Sequence, residues 1–154
     1  MARLHVPSYP LTLYYDGSCR LCSAEIRNLK ARDMADRLAL VDCSPADFSG
    51  GPAPRAALMN AIHAVDAAGR VYVGIDTFRA AYAAAGLPVV RTILGLPIVS
   101  GLARRAYPVL VHHRYRLPGW LIGPLFERAA RRAARHSAGC REGACDLGNT
   151  TGES

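Results

Sequence analysis

Hydrophobic residues along this chain fall into short blocks separated by turn formers, and the spacing within the blocks changes from strand-like to helical. LTLYY, Leu11 to Tyr15, is an apolar run rich in strand formers, closed by the turn pair Asp16-Gly17. From about Cys19 to Met34 the period is helical: Leu21, Cys22, Ile26 and Leu29 share one side, while Glu25, Arg27, Lys30 and Arg32 lie mostly outside it. Ser18 is the predicted N-cap, and basic residues crowd the last turns, where the helix dipole favours them. LALVD, Leu38 to Asp42, predicts a second strand, and SPADFSGGPAP a loop. Leu58–Val65 and Val71–Val73 then read as two strands joined through Asp66–Gly69, with Gly74 ending the second. Asp76 or Thr77 is placed to cap a helix over Phe78–Ala85, which Gly86 and Pro88 terminate.

The predicted order is therefore β-α-β-β-β-α, an α/β arrangement with a loop after its second strand and no internal repeats. From Val89 onward the pattern is helical but broken by Pro97, Pro108, Pro118 and Pro124. A last helix is expected over about Leu125 to His136, and the polar, Gly-rich tail is expected to be poorly ordered from Asp146 on.

Length and composition narrow the classes. A chain of 154 residues with 51% apolar composition can bury one core. Lys+Arg outnumber Asp+Glu 19 to 12, a formal charge of +7, and Lys30 is the only lysine. The excess lies in residues 104–154, with nine basic and four acidic side chains. A nucleic-acid surface needs exposed aromatic rings among such cations, and the last helix offers only Phe126, on its apolar side. A solvated helical face is the expectation there, with no nucleic-acid partner. The start MARLHVPSYP has no apolar segment of the leader type. Thr92–Ala103, the longest uncharged apolar run, is shorter than the roughly 20 residues a spanning helix needs. The expectation is a cytoplasmic chain without a transmembrane segment, its cysteines (19, 22, 43, 140 and 145) mainly reduced at rest.

In that setting a close-spaced cysteine pair points to redox chemistry or metal. A disulfide exchanger needs a thiolate nucleophile and a second thiol near enough to release the mixed disulfide. DGSCRLC places Cys19 in the first turn of a helix, where unpaired N–H groups stabilise negative charge, with Cys22 one turn further in. Arg20 is expected to lower the Cys19 pKa further. The assignment is Cys19 as an exposed attacking nucleophile and Cys22 as the more buried resolving thiol. Asp16 either relays the proton of Cys22 or simply forms the turn with Gly17. The rival reading is a four-thiolate zinc module of Cys19, Cys22, Cys140 and Cys145. Cys43 reads as a small buried residue and His63 as a satisfied core or edge histidine.

YYDGSCRLC resembles the signature D-G-x-C-x-x-C of the DCC family of predicted thiol-disulfide oxidoreductases, small proteins similar to thioredoxin and glutaredoxin. HAVDAAGRVYVGIDTFRAAY, His63 to Tyr82, resembles the family's second block, and HRYRLPGW, His113 to Trp120, its Arg-Tyr-Arg segment. The resemblance covers about residues 11–120. It implies Asp16, Cys19 and Cys22 as the signature positions, a thioredoxin-like fold, and dithiol–disulfide exchange with a dithiol or disulfide protein or a low-molecular-weight thiol. No organic cofactor is implied. On this reading residues 9–86 form the redox domain, 87–136 a helical extension packed on it, and 137–154 a Cys-containing tail. Thioredoxins place a cis-proline directly before the third strand, facing the cysteines and helping to dock the partner peptide. Here Pro54 lies four residues ahead of Leu58, so either the strand starts earlier or that surface is built differently.

Overall fold

The computed structural model describes residues 6–116 and Pro124. Strand β1 (Leu11–Tyr15) lies inside a four-stranded sheet of order β2-β1-β3-β4, with β2 at Leu38–Asp42, β3 at His63–Val65 and β4 at Val71–Val73. β1 runs parallel to β2, with Leu11 opposite Leu38 and Leu13 opposite Leu40. It runs antiparallel to β3, with Leu13 opposite Ala64, and β4 completes a hairpin with Tyr72 opposite Ala64. A parallel pair needs a crossover, and helix α1 (Arg20–Arg32) supplies it between β1 and β2.

Alternation along β1 puts Leu11 and Leu13 wholly inside, against Ile26 and Leu29 of α1 and the alanines of a later helix, α3 (Ile75–Ala84). Each such side chain contributes about 1.5–3 kcal/mol by leaving water. The far end of α1 is tied to β2 by the buried Asp33 carboxylate. It accepts the N–H groups of Arg37 and Leu38 at 2.8 Å each and Lys30 Nζ at 3.2 Å.

Three elements depart from the pattern reading. Residues expected to open a strand at Leu58 instead form a short helix, α2 (Arg55–Asn60), so the third strand shrinks to His63–Val65 and the order becomes β-α-β-α-β-β-α. The Ala-Ala-Leu-Met run behind Pro54 favours helix, and only its Leu58 turns into the core. Arg55 also pins the preceding loop, its guanidinium donating to the carbonyls of Cys43, Ser44 and Pro45. Helix α3 starts at Ile75 after Gly74 rather than under a cap from Asp76 or Thr77. Gly74 has φ +59°, and the Thr77 hydroxyl is buried, donating to the Ile62 carbonyl. Finally, of the expected breaks the one at Pro97 is present, between α4 (Pro88–Gly95) and α5 (Pro97–His113), but Pro108 lies within α5 without ending it, and Pro118 lies outside the described residues. Pro88 and Pro97 each open a helix, a place where the missing N–H costs nothing.

A mixed α/β architecture with this sheet is compatible with a thioredoxin-like fold. Helix α4 packs on α3, and α5 on α4 and α3. No described helix is long and apolar enough to cross a membrane. The expected helix over Leu125–His136 and the tail, with Cys140 and Cys145, lie outside the described residues apart from Pro124.

Candidate active site

The turn between β1 and α1 is built around two aspartates. Asp16 Oδ1 accepts the N–H of Ser18 at 3.0 Å and its hydroxyl at 2.6 Å, while Gly17 N–H donates to Asp42 Oδ1, at the end of β2, at 2.8 Å. A Cβ on Gly17 would fall 2.1–2.5 Å from the Asp42 carboxylate, so the glycine is what lets that carboxylate close on the turn, and a side chain there would push it aside. The turn thus clamps the ends of two parallel strands and aims the chain into α1.

Cys19, not Ser18, caps α1. Its backbone is extended (φ −84°, ψ 116°) and its sulfur accepts the Cys22 N–H at 3.4 Å. The Ser18 hydroxyl is already committed to Asp16, and the sulfur satisfies an otherwise orphan helix donor. Capping folds the sulfur back onto the helix end, and this reverses the expected exposure. Cys19 has 0% exposure, whereas Cys22 is half-buried and stands in the wall of a cavity. Both are free thiols, as is the buried Cys43, whose pKa burial raises.

The two thiols are driven apart electrostatically. Cys19 is lowered to about 6, first by the hydrogen bond from the Cys22 thiol, then by the Cys22 N–H and the Arg114 charge, against burial and Asp16. Cys22 is pushed far up, chiefly by that same hydrogen bond and by burial. The cation acting on Cys19 is therefore Arg114 rather than the expected neighbour Arg20, which is exposed.

Arg114 follows directly on α5 and is only 8% exposed. Its Nη2 pairs with Asp16 Oδ2 at 3.0 Å and also donates to the Met59 carbonyl and the Tyr115 hydroxyl. Tyr115 in turn donates to Asp16 Oδ2. Asp16, 2% exposed, thus anchors a buried ion pair with Arg114 that the largely exposed Tyr115 covers from outside, and no hydrogen bond joins it to either thiol among the described residues. Position 62, directly before β3, is Ile62 where thioredoxins carry their cis-proline. The cis peptide bond among the described residues is Tyr9–Pro10, ahead of β1. Of the second block, His63 is buried with Nδ1 2.8 Å from the Ala61 carbonyl, as expected of a satisfied core histidine. Asp66 closes the β3–β4 turn by accepting from Ala68, Arg70 and Tyr72.

Sequence reasoning missed Arg114, Tyr115 and Tyr107 as partners of the cysteine pair. For the first two a signal existed, the Arg-Tyr-Arg segment, which the pattern places near the C-terminus without a role. A zinc module is not tested by this geometry, because Cys140 and Cys145 lie outside the described residues. Among the described residues no three His, Cys, Asp or Glu side chains converge as metal ligands.

The cavity beside Cys22 holds about 300 Å³ between α1, α3 and α5, walled by residues such as Ile26, Leu58, Phe78, Tyr107 and Leu110. Cys22, Asp16, Glu25 and Arg114 bring the polar atoms to it. A pair of free thiols at a strand-to-helix junction, with one member shifted down and the other up, has the layout of an exchange centre.

Comparison with known proteins points the same way. A family model described as DCC1-like thiol-disulfide oxidoreductase matches residues 13–120. An uncharacterised protein of Arabidopsis thaliana, described as chloroplastic, is 31% identical over 118 residues, or 73% of this chain and 54% of the relative. The chain thus spans about half the length of that relative. No solved structure matches. With the model matched from β1 through the Arg-Tyr-Arg segment, the chain belongs to the DCC1-like thiol-disulfide oxidoreductase family.

Proposed function

We propose that Cys19 and Cys22 cycle between dithiol and disulfide, exchanging with the disulfide of a protein or a small thiol. The Cys19 thiolate attacks one sulfur of the partner disulfide, the partner S–S bond breaks, and the first partner thiol leaves with a proton. The Cys22 sulfur, losing its proton, then attacks Cys19 and expels the second partner thiol. Two electrons and two protons pass to the partner for each Cys19–Cys22 disulfide formed. Asp16 acts as a positioning residue, holding Arg114 where its charge favours the thiolate. The observation that carries this reading is the capping sulfur of Cys19, lowered to about 6 beside a raised Cys22.

The unit performing the chemistry would be the 9–86 domain completed by Arg114 from the described part of the helical extension, in a cytoplasmic setting that keeps the pair reduced at rest. The test is a redox titration of protein reduced without chelator, alkylated at each poise and mapped by mass spectrometry. A reversible Cys19–Cys22 disulfide is expected, and its midpoint within the roughly −120 to −270 mV span of dithiol proteins assigns the direction. If Cys19, Cys22, Cys140 and Cys145 stay blocked until a chelator is added, the zinc module replaces this reading.

A further inference from the structure

Two routes lead a substrate to a thioredoxin-like cysteine pair: an extended peptide alongside the residue before the third strand, or a compact molecule entering a cavity. The first is closed in this chain by its own atoms. Ile62 N–H donates to the Tyr107 hydroxyl of α5 at 3.0 Å. Its carbonyl accepts the Gly74 N–H at 2.9 Å and the Thr77 hydroxyl at 3.3 Å. Strand addition requires free backbone donors and acceptors, and Ile62 has neither to offer.

The second route is open. The cavity of about 300 Å³ has Cys22 in its wall and sits at the lower end of the ~300–1,000 Å³ typical of small-molecule sites. Its one cation is already committed: Arg114 is paired with Asp16 at 3.0 Å. The Glu25 carboxyl accepts from the neutral Tyr82 hydroxyl and is raised by burial, which favours its uncharged form. An added anion would face Asp16 and Glu25 with no free counter-charge, and an added cation would face Arg114 and have to ionise Glu25, in an otherwise apolar enclosure.

We propose that the substrate of this pair is a compact, uncharged, apolar disulfide that seats in the cavity walled by Cys22, Phe78 and Leu110. The inference rests on the exchange reading above. Cys22 lines the cavity and its thiol is hydrogen-bonded to the Cys19 sulfur, so a turn of the Cys22 side chain would bring the seated molecule and the Cys19 sulfur into reach. The substrate S–S bond breaks, the two substrate thiols leave with the Cys22 proton and one proton from solvent, and the Cys19–Cys22 disulfide forms.

The experiment uses the reduced full chain and two oxidants of one skeleton, diphenyl disulfide and its dicarboxylate 3,3′-dithiodibenzoate, with dithiothreitol as a cavity-free reference dithiol. The neutral-to-charged rate ratio is expected to exceed that of dithiothreitol about tenfold or more. Diphenyl sulfide, which has no S–S bond to exchange, is expected to inhibit competitively. Val111→Trp, which fills the cavity from α5, should bring the ratio down to the reference. A ratio equal to that of dithiothreitol, no competition by diphenyl sulfide on the unaltered chain, or faster oxidation by a cysteine-peptide disulfide would overturn the inference. If no oxidant yields the Cys19–Cys22 disulfide, the exchange reading itself fails. Calorimetric binding of diphenyl sulfide, lost in Val111→Trp, then still decides whether the cavity is an apolar ligand site.

Discussion

Replacing Cys22 by alanine should release Cys19 from its low pKa. The hydrogen bond from the Cys22 thiol is the largest influence lowering Cys19 to about 6. Without it, the Cys22 N–H and Arg114 must work against burial and Asp16 alone, and the thiol should move up toward the ordinary value of about 8.5. At pH 7 a group at 6 is about 90% thiolate and one at 8.5 about 3%, a thirtyfold loss of nucleophile. A more basic thiolate is also the better nucleophile, and a Brønsted slope of about 0.4–0.5 over 2.5 units returns roughly a tenfold gain. The alkylation rate at pH 7 should therefore fall only about two- to threefold, which makes a single-pH rate the wrong assay. The right one is thiolate absorbance near 240 nm against pH, taken as the difference between Cys22→Ala and a Cys19→Ser/Cys22→Ala background to remove the other thiols. The intact pair should show its first step near 6, a value that belongs to the coupled pair. The variant should show a single step shifted up by one unit or more. A Cys22→Ala midpoint still near 6 would refute the role given to the thiol–thiol hydrogen bond.

Other consequences follow from the same geometry. Gly17→Ala pushes the Asp42 carboxylate off the Gly17 and Ser44 N–H groups and should cost about 0.5–1.5 kcal/mol by urea denaturation, with an unchanged midpoint arguing against the clamp at the strand ends. Arg114→Met strands the buried Asp16 carboxylate and should destabilise by about 3–5 kcal/mol, with Asp16→Asn in the same chain recovering part of the loss; simple additivity in the double-mutant cycle would exclude a working pair. Because the Cys19 pKa is lowered in the folded chain, the stabilisation from its thiolate is full above the unfolded pKa of about 8.5. It is lost as pH falls through about 6, and a Cys19→Ser chain should lack that part of the pH–stability profile. Cys43→Ala should leave the Cys19–Cys22 redox midpoint in place, since Cys43 is buried after β2 with its pKa raised; a shifted midpoint by thiol mapping would give it a part in the exchange.

What the sequence disclosed depended on how local the cause was. Strands β1 and β2 and the body of α1 follow from apolar runs and turn residues a few positions away, and their predicted limits hold closely. The cysteine pair at a strand-to-helix junction was visible for the same reason. Leu58 was misplaced because an apolar run of this length has no decisive period, and helix propensity behind Pro54 settled it. The cap passed from Ser18 to Cys19 because Asp16 takes the serine hydroxyl, a competition that residue type alone does not order. The charge and hydrogen bonds contributed by Arg114, Tyr115 and Tyr107 were illegible because they reach the pair through tertiary packing. Helical periodicity beyond Val89 says nothing of how α5 will pack on α3 and α4.

The Asp16–Tyr115 contact, formed across 99 residues, also sets a schedule for reactivity. While the chain is being made, the two cysteines leave the ribosome as ordinary thiols, only a few per cent ionised at neutral pH. At ~5–20 residues per second, Arg114 and Tyr115 follow some ~5–20 s later. Until they dock, Arg114 contributes no charge to the thiolate and the cavity lacks its α5 wall. A truncated or half-made chain would keep the Cys22 hydrogen bond that lowers Cys19 most but lack the Arg114 charge and the α5 wall, so the surroundings of the pair are complete only once synthesis has run past residue 115.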